Sequence, residues 1–223
     1  MWTPAAPHFL CNALTAIQAC VRSRPALAEE MIAVLARFVR ATLGRSEGLV
    51  SVAEELALVG MYLGLERLRL GSRLRTIIDV DPGVLGAPIP ALVAQPLVEN
   101  AVVHAAASRA AGATLRLTVR GRPGRREVLI VVADDGPGMV RVPVRGSLEQ
   151  TLTIAGAGRL GLGTLRRRLD ARYGSDARLR VLRRPGGGTV AVVTLPLEPA
   201  VGVHPGVRGA AAAQENGARA DRG

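Results

Sequence analysis

Apolar residues recur at every third or fourth position through the first seventy residues, which is the period of an α-helix with one buried face. The pattern predicts helices over residues 8–22, 26–43 and 51–70, and Ser51 followed by Glu54 is a capping-box signature at the start of the third. A Ser-Arg-Pro break separates the first two helices, so we expect an antiparallel hairpin. Its wide apolar stripe contains Leu10, Leu14, Ile17, Met31, Leu35 and Phe38. Such a stripe needs a partner, and we expect two copies of the chain to pair in a four-helix bundle.

The remaining sequence alternates between strand and helix patterns. Strands are expected over residues 73–80, 113–120, 126–134, 177–184 and 188–197, and helices over residues 90–107 and 162–173. Residues 139–158 have no clear period and indicate a long loop, and the Ala-, Gly- and Arg-rich segment that follows Pro199 indicates a disordered tail. We therefore expect a helical region over residues 1–70, a mixed domain over 71–198 and a tail over 199–223.

Composition narrows the class of protein. A chain of 223 residues, of which 48% are hydrophobic, is long enough to form a substantial core. The net charge of +11 invites a nucleic-acid interpretation, but the chain has only five aromatic residues for base stacking, and we expect no nucleic-acid partner. Cys11 and Cys20 fit neither a zinc site nor a disulfide framework. There is no run of about twenty apolar residues and no signal-peptide pattern, which predicts a soluble, cytoplasmic polypeptide.

Three short segments carry residues that are suited to chemistry. Residues 7–12 open the first helix with His8, and a neutral imidazole is a nucleophile at neutral pH. Residues 95–104 form an apolar helical segment interrupted by Asn100, whose amide oxygen is a hard ligand suited to Mg²⁺. A buried strand then ends at Asp134 in an Asp-Asp-Gly-Pro-Gly turn, which on its own is also compatible with an ordinary hairpin turn.

The last two segments resemble the N-box and the first glycine box of the GHKL ATP-binding fold, which histidine kinases, gyrase-type topoisomerases and heat-shock chaperones share. The first segment, Pro-His-Phe-Leu-Cys-Asn, is similar to the phosphoacceptor box of LytS-type sensor histidine kinases. The resemblance covers roughly residues 6–197. It implies an α+β fold, in which an N-terminal antiparallel helical hairpin for dimerisation and phosphoacceptance precedes a GHKL (Bergerat) α/β sandwich. It also implies ATP and Mg²⁺ as cofactors.

The resemblance implies a role for each residue that matches a family motif. His8 corresponds to the phosphorylated histidine, and Asn12, one helical turn later, is placed to orient its ring. Asn100 corresponds to the metal ligand, and His104 shares its helix face and is placed to donate to a phosphate. Asp134 corresponds to the acceptor for the adenine amino group. The other implied nucleotide-binding residues are Gly136, Gly138, Gly161, Gly163 and Thr189.

Some positions depart from the family pattern. ATPase members of the superfamily carry a general-base Glu four residues before the metal-binding Asn, and Pro96 stands there in this chain, which favours phosphotransfer over clamp-type hydrolysis. In the second glycine cluster, Thr164 replaces an Asn and Arg159 falls where a glycine is expected. Asp135 stands where the family commonly has Asn.

Three functional hypotheses follow. The first is the core of a two-component sensor histidine kinase, a homodimer that phosphorylates His8 with ATP and passes the phosphoryl group to an aspartate of a response-regulator receiver domain. The resemblance implies an upstream sensor for such a protein, commonly membrane-spanning, in this chain or a separate one. The second is a catalytically weak ATP-binding scaffold of the same fold, which Thr164 and Arg159 motivate. The third is a basic nucleic-acid-binding protein.

Overall fold

The computed structural model describes residues 6–42, 48–106, 110–138 and 158–197, with side chains from Phe9 in the first range and from Gly161 in the last. These residues form five α-helices and seven strands, in the order α1 (Ala6–Cys20), α2 (Pro25–Thr42), β1 (Leu49–Ser51), α3 (Val52–Leu70), β2 (Leu74–Val80), β3 (Pro88–Pro90), α4 (Gln95–Ala101), β4 (Ala113–Arg122), β5 (Glu127–Asp134), α5 (Gly158–Tyr173), β6 (Arg178–Arg183) and β7 (Thr189–Pro196). The predicted tail, and the predicted loop apart from its last residue, Gly158, lie outside the described residues.

The first three helices form one apolar cluster, which confirms the predicted hairpin. The ring of Phe9 in α1 packs against Phe38 of α2 and Tyr62 of α3, with centroid separations of 5.0 and 4.9 Å. The predicted capping box at the start of α3 is also confirmed, because the Ser51 hydroxyl accepts from the Glu54 N–H and the Glu54 carboxylate accepts from the Ser51 N–H. The hairpin is therefore joined to the rest of the chain through α3.

Most of the residues that we expected in the exposed pairing stripe are not exposed, so the prediction is wrong for them. Ile17, Met31, Leu35 and Phe38 are all buried inside the protomer, where the hairpin packs on itself and on α3. The large apolar side chains that stay exposed on the hairpin are Leu14, Val21 and Ile32, each more than half exposed. Helical periodicity identified apolar positions but could not distinguish those that α3 covers, because α3 is distant in sequence.

The five-stranded sheet has the order β2-β4-β5-β7-β6, in which β2 and β4 are parallel and all other neighbours are antiparallel. Buried and partly exposed residues alternate strictly along β5 and β7, so one face of the sheet is closed by the helices. Together with the helical layer this is the predicted α/β sandwich, and all five predicted strands are present within two residues of their expected bounds.

The helix predicted over residues 90–107 is shorter than expected. The chain first forms β3, which pairs antiparallel with β1, and α4 begins only at Gln95. Leu92 interrupts any earlier helix because its φ is +57°, a left-handed conformation. At its other end α4 passes into a π-helix over Val102–Ala106. In the part of the chain that the structure describes, no helix is long and apolar enough to cross a membrane.

At the start of the sheet, the backbone at Gly112 lies very close to the backbone at Arg73. Gly112 has a φ of +74°, and a Cβ atom there would lie 2.6 Å from the Arg73 Cα, where β2 and β4 begin side by side. We expect Gly112→Ala to lower the free energy of unfolding by about 1–3 kcal/mol through overpacking and backbone strain. Urea denaturation measures this difference.

Gly60→Ala is the matched control, because Gly60 lies in α3 and its added methyl group would meet no atom of another described segment within 4 Å. There we expect a gain of about 0.5–1 kcal/mol in the free energy of unfolding, since Ala loses less backbone entropy in a helix. Equal stability of the two variants would contradict the described approach of Gly112 to Arg73.

Candidate functional site

The end of β5 carries a buried carboxylate that is held by two backbone groups. Asp134 is 4% exposed, and its Oδ1 accepts hydrogen bonds from the N–H of Gly136 at 2.9 Å and of Thr189 at 3.3 Å. Burial raises the pKa of the Asp134 carboxyl, and these two N–H groups oppose that rise. Both hydrogen bonds from described residues go to Oδ1, so Oδ2 is the oxygen left to accept from a ligand.

Hydrogen bonds from two other segments of the chain hold the turn after β5 in place. The Asp135 carboxylate accepts from the Thr114 N–H at 2.7 Å, and the Asp135 N–H donates to the Thr114 carbonyl. On the other side, Arg184 donates from Nη1 to the Asp134 carbonyl oxygen at 3.0 Å. The hydrogen bond from Thr114 requires an acceptor oxygen at position 135, which an Asn side chain also has.

Gly136 brings this turn against the helix that carries Asn100. A Cβ atom at Gly136 would lie 2.6 Å from the Ala105 Cβ and 2.9 Å from the Asp134 Oδ1, so only glycine fits there. Gly138 follows with a φ of +78° and is the last described residue before a segment that the structure does not describe. The structure thus brings the two sequence motifs together, although they are about thirty residues apart in the chain.

Asn100 lies near the end of α4 and is buried, with 6% of its surface exposed. Among the described residues, no group donates a hydrogen bond to its Oδ1. A buried amide oxygen without a partner is costly, and a bound ligand that it could coordinate would remove that cost. The donor chemistry therefore fits a hard cation such as Mg²⁺.

His104 lies in the π-helical segment, where a turn holds more residues than in an α-helix. Four residues are close to one turn in both helix types, so the expectation that His104 lies near the helix face of Asn100 is compatible with this segment. His104 is partly buried, and burial lowers the pKa of its imidazole, while the nearby Asp134 carboxylate raises it. His104 thus lies within electrostatic reach of Asp134.

Two acidic residues near α4 were not identified as site residues from the sequence. Glu99 accepts a hydrogen bond from the Gln95 amide at 2.9 Å, and burial together with the neighbouring Glu66 raises its pKa to about 7. Glu55 of α3 is 2% exposed and accepts three backbone N–H groups at the start of α4. No local sequence signal could have found the Glu55 contact, because its partners lie 37 to 40 residues away.

The second glycine cluster is helical where the structure describes it. The helix α5 begins at Gly158, four residues earlier than expected, so Gly161 ends its first turn and Gly163 lies in its second. The sequence had suggested a loop that enters the helix near Leu162. Thr164, which replaces the family's Asn, accepts a hydrogen bond from Arg167 at 3.2 Å. Glycine spacing alone does not distinguish a loop from a helix. Packing against the rest of the fold determines that this segment is helical.

The phosphoacceptor segment belongs to α1. His8 lies in the first turn of this helix, and Asn12 follows one turn later and is partly buried. The position of the His8 side chain lies outside the described residues, so its distance from Asn100 and Asp134 stays a matter for experiment. Its neighbour Phe9 is buried against Tyr62, which ties the beginning of α1 to α3.

An open cavity of about 690 Å³ lies beside the Asp134 turn. Its lining residues come from the turn itself and from the connection between β6 and β7, and they include Asp135, Gly136, Arg183 and Arg184. Asn100 is not among its lining residues, so this cavity covers only the part of the candidate site that lies next to β5.

Comparison with known proteins assigns both parts of the chain to families. A family model described as "Histidine kinase" matches residues 5–74. A second model, described as "Histidine kinase-, DNA gyrase B-, and HSP90-like ATPase", matches residues 88–199, about half of the chain. Among solved structures, the catalytic domain of the histidine kinase ThkA has a similar fold, with a TM-score of 0.50. The two sequences are 16% identical, and the match covers 68% of this chain and 95% of that domain.

Curated relatives agree with this assignment. An uncharacterized sensor-like histidine kinase of Staphylococcus epidermidis is 33% identical over 194 residues, and the sensor protein kinase HptS of Staphylococcus aureus is 29% identical over 194 residues. Each alignment covers 86% of this chain but only 37% and 36% of the relatives, so the chain spans little more than a third of their length. The LytS-type subfamily stays a prediction. The two family matches and these relatives show that the chain belongs to the histidine kinases, with a helical histidine kinase region followed by an ATP-binding domain of the gyrase and HSP90 superfamily.

Proposed function

We propose that this chain is the catalytic core of a LytS-type two-component sensor kinase. It phosphorylates His8 with ATP and then passes the phosphoryl group to an aspartate of a response-regulator receiver domain. The observation that carries the proposal is the buried Asp134, whose Oδ1 is held by two backbone N–H groups while Oδ2 is left for a ligand. An acceptor fixed in this way selects a base that presents an amino group, as adenine does.

The residues around Asp134 suit the rest of a nucleotide. Gly136 leaves no side chain between the turn and the π-helical segment that follows α4, and Thr189 fixes the carboxylate from β7. Asn100 is the residue that would hold Mg²⁺, because its buried Oδ1 has no donor among the described residues. When bound, the metal ion would neutralise phosphate charge and orient the γ-phosphate. We retain His104, Gly138, Gly161 and Gly163 as proposed contacts of the nucleotide, although Gly161 and Gly163 lie in α5 rather than in a loop.

The proposed chemistry is an in-line transfer to a histidine nitrogen. A ring nitrogen of His8 attacks the γ-phosphorus, a nitrogen–phosphorus bond forms, and the bond to the bridging oxygen breaks so that ADP leaves. The proton on the attacked imidazole is then lost to solvent or to a base. Asn12, one turn after His8 in α1, is placed to orient the ring. Pro96 at the position of the ATPase general base favours this transfer over hydrolysis.

The proposed function also implies protein partners for this chain. Leu14, Val21 and Ile32 remain exposed on the hairpin, and we propose that they pair with a second copy of the chain. The receiver domain of a response regulator would accept the phosphoryl group, and a sensor would be supplied by another segment or chain. We place the reaction in the cytoplasm. The comparisons do not favour the scaffold or the nucleic-acid hypothesis, because one family match is to histidine kinases, the other is to an ATPase family that includes them, and the curated relatives are sensor kinases.

The phosphoacceptor assignment has a direct test. The purified chain with Mg²⁺ and γ-labelled ATP should gain acid-labile, alkali-stable label, as expected for phosphohistidine, and His8→Ala should lose it. His204 is the matched control, since His204→Ala removes a histidine in the C-terminal region that no motif includes. Full labelling of the His8→Ala variant would exclude His8 as the acceptor.

Asp134→Asn tests the adenine site. The amide oxygen can still accept from Gly136 and Thr189, but a donating NH₂ group then replaces Oδ2. We expect ATP affinity to fall by about tenfold to a hundredfold, the loss typical of a hydrogen bond to a charged group. GTP affinity should fall less, because guanine presents a carbonyl oxygen at the corresponding position.

Calorimetric titration of both nucleotides measures this shift in selectivity. Asp170→Asn serves as the control, because Asp170 is exposed on α5 and its carboxylate pairs with Arg166 at 3.9 Å on the surface of the helix. If Asp134→Asn bound ATP and GTP with the affinities of the parent chain, the base would be read elsewhere.

The pairing surface predicts a change in oligomeric state. We expect the parent chain to be a dimer at micromolar concentration, and the double variant Leu14→Arg/Ile32→Arg to be a monomer, because each change places a charge in a buried apolar interface. Leu182→Arg is the control, since Leu182 is similarly exposed but lies on β6. Multi-angle light scattering gives the mass directly, and a monomeric parent chain would refute the proposed interface.

A further inference from the structure

Between β3 and α4 the chain makes a buried turn over residues 91–94 that the proposed chemistry does not use. Leu92 lies in this turn with a φ of +57°. A left-handed backbone is unfavourable for a residue with a branched side chain, and it persists only where the surroundings hold it. Two charged side chains from other helices hold this turn.

The first is Glu55, which caps α4 from outside. Its Oε2 accepts from the Leu92 N–H at 2.9 Å, and its Oε1 accepts from the N–H groups of Ala94 and Gln95 at 2.9 and 3.2 Å. The N-cap residue of α4 is Ala94, which has no side-chain acceptor. Glu55 therefore does for α4 what a Ser or Asp at the N-cap does for most helices, and its negative charge also suits a helix N-terminus.

The second is Arg168 of α5, which satisfies the opposite side of the same turn. Its Nη1 donates to the Leu92 carbonyl at 3.3 Å, and its Nη2 donates to the Ala91 carbonyl. The planar guanidinium group reaches two neighbouring carbonyls from two separate nitrogens, a fixed fork that the single nitrogen of a Lys side chain does not reproduce. Glu55 and Arg168 also attract each other electrostatically across the turn.

Three helices consequently meet at one turn. The helix α3 supplies Glu55 and also packs through Tyr62 on Phe9, which is next to His8. The helix α4 carries Asn100, and α5 contains Gly161 and Gly163 of the second glycine cluster. A change in either charged residue would leave buried backbone groups without partners and would let α4 shift relative to its neighbours.

We propose that Glu55 and Arg168 are positioning residues that clamp the turn over residues 91–94 and thereby fix Asn100 against the helices on either side. Neither side chain contacts the nucleotide in this account. The inference deepens the proposed function and rests on it for the role of Asn100. We therefore expect the clamp to affect the steps that depend on the metal ion, which are Mg²⁺-dependent ATP binding and the labelling of His8. Recognition of the base at Asp134 should not depend on the clamp.

The test compares Arg168→Lys and Glu55→Gln with the parent chain. ATP affinity is measured by calorimetry in EDTA and again with Mg²⁺, alongside the rate of His8 labelling. We expect affinity in EDTA to stay within about twofold, whereas the gain from Mg²⁺ and the labelling rate should each fall by about tenfold or more, the order of loss that misplacement of a remote group causes. Asn100→Ala is the positive control, since it removes the proposed metal ligand itself.

Arg166→Lys is the matched negative control, because Arg166 lies on the same helix but is exposed and forms a surface ion pair with Asp170. A parent-like Mg²⁺ gain in both clamp variants would overturn the proposal, as would an equal loss of affinity in EDTA and in Mg²⁺, which would indicate general destabilisation. If the parent chain fails to label His8 but Arg168→Lys still reduces the Mg²⁺ gain, the proposed function fails and the clamp stands.

Hydrogen exchange gives a second test, and its first part needs only the parent chain. In the parent chain, the amides of Leu92, Ala94 and Gln95 should exchange slowly, because each donates to Glu55. In Glu55→Gln they should exchange faster, while amides of β5 keep their protection. Unprotected amides at these three positions in the parent chain would refute the clamp.

Discussion

The arrangement of the site depends on the buried carboxylate of Glu55. Burying a carboxylate is costly unless several donors surround it, and here three backbone N–H groups at the start of α4 supply them. Burial still raises the pKa of Glu55, against the lowering that these hydrogen bonds cause. The contact joins α3 to α4, so it connects the helical hairpin, which packs on α3, with the helix that carries Asn100.

The candidate site is built from two parts that different forces hold in place. At the end of β5, sheet hydrogen bonding fixes Asp134, and the neighbouring strands contribute the N–H of Thr189 and the backbone of Thr114. On the helical side, Asn100 depends on the position of α4, which is only seven residues long. So short a helix has little stability of its own, and its orientation comes from tertiary contacts. The base-binding part is therefore expected to be the more rigid of the two.

Much of this organisation could be predicted from the sequence, and the failures have physical causes. The helices of the hairpin and the five strands of the main sheet follow from periodicity, and the approach of the turn after Asp134 to the helical segment after Asn100 follows from motif resemblance. The turn at Leu92 could not be predicted, because nothing in a Leu side chain indicates a left-handed backbone. Its cause is a carboxylate 37 residues earlier and a guanidinium group 76 residues later.

The same limitation explains the other corrections. Ile17 and Leu35 have the pattern of an exposed pairing stripe, yet they are buried in the protomer. Gly161 and Gly163 have the spacing of a flexible loop but lie within α5. In each case a local pattern was compatible with two structures, and contacts with distant segments selected one of them. Function-bearing side chains were easier to identify than the residues that position them, because the former belong to compact motifs.

The most direct measurement is a crystal structure of the chain with Mg²⁺ and a non-hydrolysable ATP analogue. The account predicts that Asp134 Oδ2 accepts a hydrogen bond from the adenine amino group and that Asn100 Oδ1 coordinates the metal ion. It also predicts that Glu55 and Arg168 still hold the left-handed turn at Leu92. An adenine ring bound away from Asp134, or a metal ion without Asn100 among its ligands, would contradict it.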